Sequence, residues 1–189
     1  FWYKVYEPFI RKAAGLGIAS IKHDKERYEH KYEYCDLLVA GAGPAGLASA
    51  YAAAKNGARV ILAEDKSRFG GTLLTSEVNI GNQSGKEWAD GIVSELKAMP
   101  NVIVKNRSQV FGYYDHNMVV MSERISDHLP KTKKFHPKQK LWYIRAQEVL
   151  ISSGSIERPI VFGNNDTPGV MLSSAAKEYL KVYGVLVGK

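Results

Sequence analysis

A single cysteine, Cys35, stands in a chain of 189 residues. One thiol closes no internal disulfide and cannot by itself hold an iron–sulfur cluster. That scarcity fits a reducing compartment, and the expected location is the cytoplasm. Long apolar runs are also missing. None approaches the ~18–20 residues of a membrane span, and no signal peptide opens the chain, so no membrane partner is expected. The histidines (His23, His30, His116, His128 and His136) are scattered without metal-ligand spacing, which argues against a zinc or iron centre. Nothing forms a nucleophile or acid–base constellation, and no catalytic residue is assigned. Internal repeats and low-complexity tracts are absent as well.

What is present is an ordinary globular composition, 45% hydrophobic and 24% charged, enough to bury a real core. The net charge of +7 concentrates in two stretches. The first, "IRKAAGLGIASIKHDKERYEHK", also carries Asp24, Glu26 and Glu29 and is mixed. The second, "KTKKFHPKQK", is a basic loop with Lys131, Lys133, Lys134, Lys138 and Lys140. No nucleic-acid motif accompanies either, so a solvated loop or a subunit contact is expected rather than nucleic acid. The chain opens on Phe1 and closes on "YGVLVGK", and it reads as a segment of a longer polypeptide.

Residues 1–33 read as an N-terminal arm with a short helix in "YEPFIRKAAGLG", closed by glycine. Residues 34–189 read as one dinucleotide-binding domain, truncated at its C-terminal side. Within it, Asp36-Leu-Leu-Val-Ala40 is a continuous apolar run, the mark of a parallel strand buried on both faces. A helix over 44–56, stopped by Asn56-Gly57, and a strand over 58–63 follow. Ser84-Gly85-Lys86-Glu87 is a capping box that starts a helix whose apolar face carries Trp88, Ile92, Val93 and Leu96. "NVIVKN" is a third strand. "QVFGYYD", "NMVVMSE", "KLWYIRA" and "EVLISSG" then give four short strand-like runs, with Asp115-His116-Asn117 as a turn. The expected fold is α/β: a Rossmann-like parallel sheet, incomplete, with an antiparallel β-meander.

Gly41-Ala42-Gly43-Pro44-Ala45-Gly46 is G-x-G-x-x-G, placed after a strand and opening a helix. Gly41 allows the tight turn, Gly43 admits a pyrophosphate to the backbone, and Gly46 lets helix and strand pack closely. The helix N–H groups and dipole would hold the pyrophosphate, and Pro44 suits a first turn where its missing N–H costs nothing. Glu64 ends the second strand, close to the ~20-residue offset of a ribose-binding carboxylate, and Asp65 beside it is an alternative or a helper. An acid there disfavours a 2′-phosphate, so NAD or FAD is expected over NADP. Gly70-Gly71-Thr72 follow as a loop passing near the ligand would. Gly154 ends the last strand at the carboxyl edge where such ligands bind, or is a plain turn glycine. Cys35 reads as a packing residue. Glu157-Arg158 is either an ion pair or an orienting group at the cofactor edge.

From Asp36 to Gly154 the arrangement resembles the two-dinucleotide-binding, glutathione-reductase-like flavoproteins: glycine motif, acid followed by Gly-Gly, β-meander, late strand end. "YEPFIRKAAGLG", "GAGPAGLASA", "YYDHNMVVMSERISDHLP", "SGSIERPIVFGNNDTPGVMLSSAAKEYL" and "KVYGVLVGK" resemble the alpha subunits of heterotetrameric sarcosine oxidases across nearly the whole chain. The strand end departs from that pattern, with Ser152-Ser153-Gly154-Ser155 where "ATGA" is usual. The resemblance implies an oxidoreductase complex that demethylates sarcosine, an amine substrate, to glycine with O2, giving hydrogen peroxide and a one-carbon unit for tetrahydrofolate. It implies beta, gamma and delta partner subunits, NAD in this domain, FAD in the beta subunit and FMN at a subunit boundary. It also implies that Ala45, Glu64, Asp65, Gly71 and Thr72 contact the NAD, with the Val110 backbone at the adenine. A ferredoxin-like domain before Phe1, and the remaining nucleotide domains plus a folate-binding domain after Lys189, would place the folate and FMN sites outside this segment. Two other readings stand beside it: an FAD-binding subunit of a dye-linked proline or opine dehydrogenase, and a non-catalytic assembly module docking through the basic loop.

Overall fold

The computed structural model describes every residue except 18, 19, 127, 130–135 and 189, so the lysines at the head of the basic loop, Lys131, Lys133 and Lys134, lie outside the described residues. A short helix, α1 (Glu7–Ala13), precedes the sheet and is followed by Gly15 at φ +69°, the expected glycine stop. The main sheet has six strands in the order β5-β2-β1-β8-β7-β6. Strands β1 (Tyr28–Ala40), β2 (Val60–Ala63) and β5 (Val102–Lys105) are parallel and form its first half. The meander β6 (Ser108–Tyr114), β7 (Met118–Arg124) and β8 (Gln139–Ile151) is antiparallel, and β8 pairs in parallel with β1. A hairpin of β3 (Asn79–Ile80) and β4 (Gln83–Ser84) leads into the capping box.

Two elements differ from the sequence expectation, for one reason. β1 starts at Tyr28 rather than Asp36, and "KLWYIRA" and "EVLISSG" are a single strand, β8, not two. Both extensions carry polar residues that look like loop. In β1 they alternate, Tyr28, His30, Tyr32 and Tyr34 on one face and Glu29, Lys31 and Glu33 on the other. Each strand is long because the other is: they pair from Tyr28↔Gln139 to Ala40↔Ile151. The side chains add to it, with Tyr32 stacked on Tyr143 at 5.0 Å and Lys31 lying 4.3 Å over the Trp142 ring.

Because successive strand residues point to opposite faces, the sheet divides its apolar side chains between two cores. Val39, Val60 and Leu62 face α2 (Pro44–Lys55) and α3 (Gly85–Ala98), packing against Leu47, Ala50, Val93 and Leu96. Leu38, Ile61 and Ala63 face the other way, onto Val119, Met121, Trp142 and Ile144 of the meander. Cys35 is buried in this second core, where desolvation pushes its thiol up to about 12, so it serves as an inert packing residue. A last helix, α4 (Ser173–Tyr183), buries none of its residues. It is held to the loop after β2 by Lys66–Glu178 at 3.0 Å, Lys181–Glu77 at 2.5 Å and an Arg68 bond to the Val182 carbonyl.

Candidate functional site

The carboxyl ends of β1, β2 and β8 meet at the glycine turn, residues 41–46. Gly41 sits at φ +106°, and an added Cβ would come 2.4 Å from the Ser152 carbonyl oxygen. At Gly46 a Cβ would fall 1.9 Å from the Gly41 oxygen and 2.6 Å from Ser152 Oγ. Only glycine fits at either place: Ser152, just past β8, crowds Gly41, and the Gly41 carbonyl with Ser152 Oγ crowds Gly46. Gly43 is different. Its backbone is extended, at φ −75° and ψ −173°, and a Cβ there meets nothing within 4 Å. The missing side chain at Gly43 serves no internal contact and leaves open space in front of α2.

The polar groups of the turn are fixed one peptide at a time. The Gly41 N–H donates to the Ala63 carbonyl. The Gly41–Ala42 peptide is held at both ends: its carbonyl accepts from Ser152 Oγ at 2.8 Å, and its N–H donates to Glu64 Oε2 at 2.8 Å. The next carbonyl, of Ala42, accepts from the Gly70 N–H at 2.8 Å. Beyond that the pattern stops. No side chain caps α2, Pro44 has no N–H, and the N–H groups of Gly43, Ala45 and Gly46 take no acceptor among the described residues. Three donors at the positive end of a helix, with no Cβ in front of them, suit a diphosphate.

Glu64 is only 9% exposed, and its second oxygen accepts from the Lys66 N–H at 3.0 Å. Each carboxylate oxygen therefore has one backbone donor and keeps a lone pair for a ribose hydroxyl. Asp65 is more exposed and pairs with Arg124, through its side chain at 3.3 Å and its carbonyl at 2.6 Å. Gly70 and Gly71, at φ +116° and +53°, carry the loop back to the turn, and a Cβ on Gly71 would lie 2.9 Å from Gly43 Cα. Thr72 follows on the exposed side of that loop. Val110 turns its side chain to the second core at a bulge in β6, two residues after Ser108, whose N–H bonds the Glu64 carbonyl.

The structure thus brings together Gly41, Gly43, Pro44, Ala45, Gly46, Glu64, Gly70 and Gly71, with Asp65, Thr72 and Val110 at the rim. Gly154, at φ +75° and three residues past β8, has open space where a Cβ would go, and it follows Ser153, whose Cα would lie 3.1 Å from a Cβ on Gly41. Ser152 makes the contact expected of that strand end, and sequence reasoning overlooked it. Its one visible signal was the unusual "SSGS". Glu157 neither pairs with Arg158 nor reaches the turn; it caps α4, accepting from the Ser174 N–H at 2.8 Å and Ser173 Oγ at 3.0 Å, which holds its carboxyl below the usual range.

Residues 36–128 match the family model of FAD dependent oxidoreductases. The chain is 46% identical, over 100% of its length, to the sarcosine oxidase subunit alpha of Rhizobium meliloti (strain 1021), of which it covers 19%. It is 41% identical, over 92% of its length, to that of a Corynebacterium species (strain P-1), of which it covers 18%. The chain therefore spans about a fifth of the length of these relatives. L-proline dehydrogenase from P. horikoshii superposes with a TM-score of 0.67 at 23% identity, over 89% of this chain and 32% of that one, a likeness of fold alone.

Proposed function

We propose, from the likeness of the whole chain to sarcosine oxidase alpha subunits, that it holds a dinucleotide, NAD, inside such an oxidase complex. The observation that carries the reading is the turn with its first peptides tied down and three N–H donors left free beside a buried carboxylate. In this reading Gly43, Ala45 and Gly46 hold the pyrophosphate, Glu64 with Asp65 takes the ribose, and the Gly71-Thr72 loop closes one side. The nucleotide's own chemistry is hydride exchange; the chain's residues bind and orient it. The complex would demethylate sarcosine oxidatively, with the substrate pocket, FMN and folate sites outside residues 1–189 and other subunits as partners. A cytoplasmic location goes with this reading.

The match to the FAD dependent oxidoreductase model favours a second reading, FAD in the same site, since both cofactors present the same ADP half. Releasing and weighing whatever co-purifies with the full chain separates the two. NAD is the expected mass. FAD moves the assignment to flavin-bearing amine or amino-acid dehydrogenases. A chain that carries neither and shows no affinity for NAD, FAD or ADP-ribose sinks both.

A further inference from the structure

We propose that Ser152 is a positioning residue for dinucleotide binding, its hydroxyl setting the plane of the Gly41–Ala42 peptide and so the aim of the free N–H groups behind it. The proposal rests on the reading of the turn as a dinucleotide site. Ser152 stands one residue beyond β8, and its N–H continues the ladder by donating to the Ala40 carbonyl at 2.8 Å. That bond would survive any side chain. The hydroxyl is separate: Oγ lies 2.8 Å from the Gly41 oxygen and 3.1 Å from the Ala40 oxygen. It has one proton, and the Ala40 oxygen already has a donor, so the proton belongs to Gly41.

The position matters because of what Gly41 is. At φ +106° a glycine has few barriers to turning its following peptide over. Two groups oppose that flip, from opposite strands: Glu64 of the β2 end on the N–H, Ser152 of the β8 end on the carbonyl. The Ala42 carbonyl is held separately by Gly70, and the Gly43 N–H points away from it across the same trans peptide. Loss of the Ser152 hydroxyl leaves one clamp where there were two. Its Oγ also lies beneath Gly46, 2.6 Å from where a Cβ would stand, next to the Gly41 oxygen at 1.9 Å.

Ser152→Ala, Ser152→Cys and Ser152→Thr in the full chain test this, with ADP-ribose as the probe. Calorimetry should show about tenfold weaker binding for Ser152→Ala and Ser152→Cys, and Ser152→Thr, which keeps the hydroxyl, should stay within about threefold of wild type. Hydrogen exchange without ligand should quicken in residues 41–47 and stay unchanged in β7. Equal affinity in Ser152→Ala and wild type overturns the proposal. So does exchange that quickens throughout the molecule, since that marks a merely structural serine. The cysteine variant, closest in size to serine, decides the matter should the alanine variant fold poorly. If wild type itself ignores ADP-ribose, the dinucleotide reading has failed, and the exchange of residues 41–47 alone decides whether Ser152 clamps the turn.

Discussion

Gly43 and Gly46 lie three residues apart and would answer a methyl group in opposite ways. At Gly46 the methyl has nowhere to go, 1.9 Å from a backbone oxygen, so Gly46→Ala should destabilise the fold by ~1–3 kcal/mol or more through overpacking. At Gly43 the methyl meets open space, and Gly43→Ala should cost under ~1 kcal/mol, as a poorer N-cap. The same methyl would occupy the room a pyrophosphate needs. Gly43→Ala should therefore fold and lose at least about tenfold in ADP-ribose affinity, while Gly46→Ala melts early. Thermal melts with and without ADP-ribose check both halves, and a Gly43→Ala protein that binds normally would remove the pyrophosphate from this turn. The tight turn at Gly41 and the close packing at Gly46 were legible in the sequence because both glycines belong to one local turn with one spacing. Ser152 was not, because its partner Gly41 lies 111 residues away and no local pattern announces a contact of that range.

At the scale of elements, Asp36 joins two strands. Its carboxylate takes the Arg59 N–H at 2.7 Å, Arg59 Nε at 3.0 Å and Nη2 at 2.5 Å, so the start of β2 is tied to the middle of β1. The Arg59 guanidinium holds the Asp36 carboxyl down at about 2. Its unfolded value is ~3.9, so the sign is that of a depressed acid: the stabilisation is present above pH ~4 and lost as pH falls through about 2. The difference in urea midpoint between wild type and Asp36→Asn should be constant above pH ~5, shrink as pH falls below ~4 and level off only below about 2. A difference independent of pH across that window would show that the charge contributes nothing. α3 was readable from the capping box and its apolar face, and both are present. The strand lengths were not readable. Gln147 and Glu148 interrupt the apolar run of β8 beyond the end of its pairing with β7, and only the pairing with β1, invisible in the local sequence, carries the strand past them.

Across the whole molecule the two cores share their strands, and that sharing decides how it unfolds. Leu38 and Val39 are neighbours on β1, yet one packs on the meander and the other on the helices; Ile61 and Leu62 on β2 divide the same way. β8 does it again, with Val149 and Leu150 on opposite sides. Neither core can open without moving backbone that holds the other, so one cooperative transition is expected in spite of two separate apolar clusters. Leu47, fully buried on the inner face of α2, and Ile144, fully buried on β8 of the meander, allow the test. Leu47→Ala should cost ~2–5 kcal/mol and Ile144→Val ~0.5–1.5 kcal/mol. Each should shift the circular dichroism of the helices and the fluorescence of Trp142 by the same amount, although each touches one core only. A Leu47→Ala protein whose helices melt while Trp142 stays buried would mean that the meander stands without them. The dinucleotide turn, hung between β1, β2 and β8, would then sit on the boundary between two independent units rather than inside one.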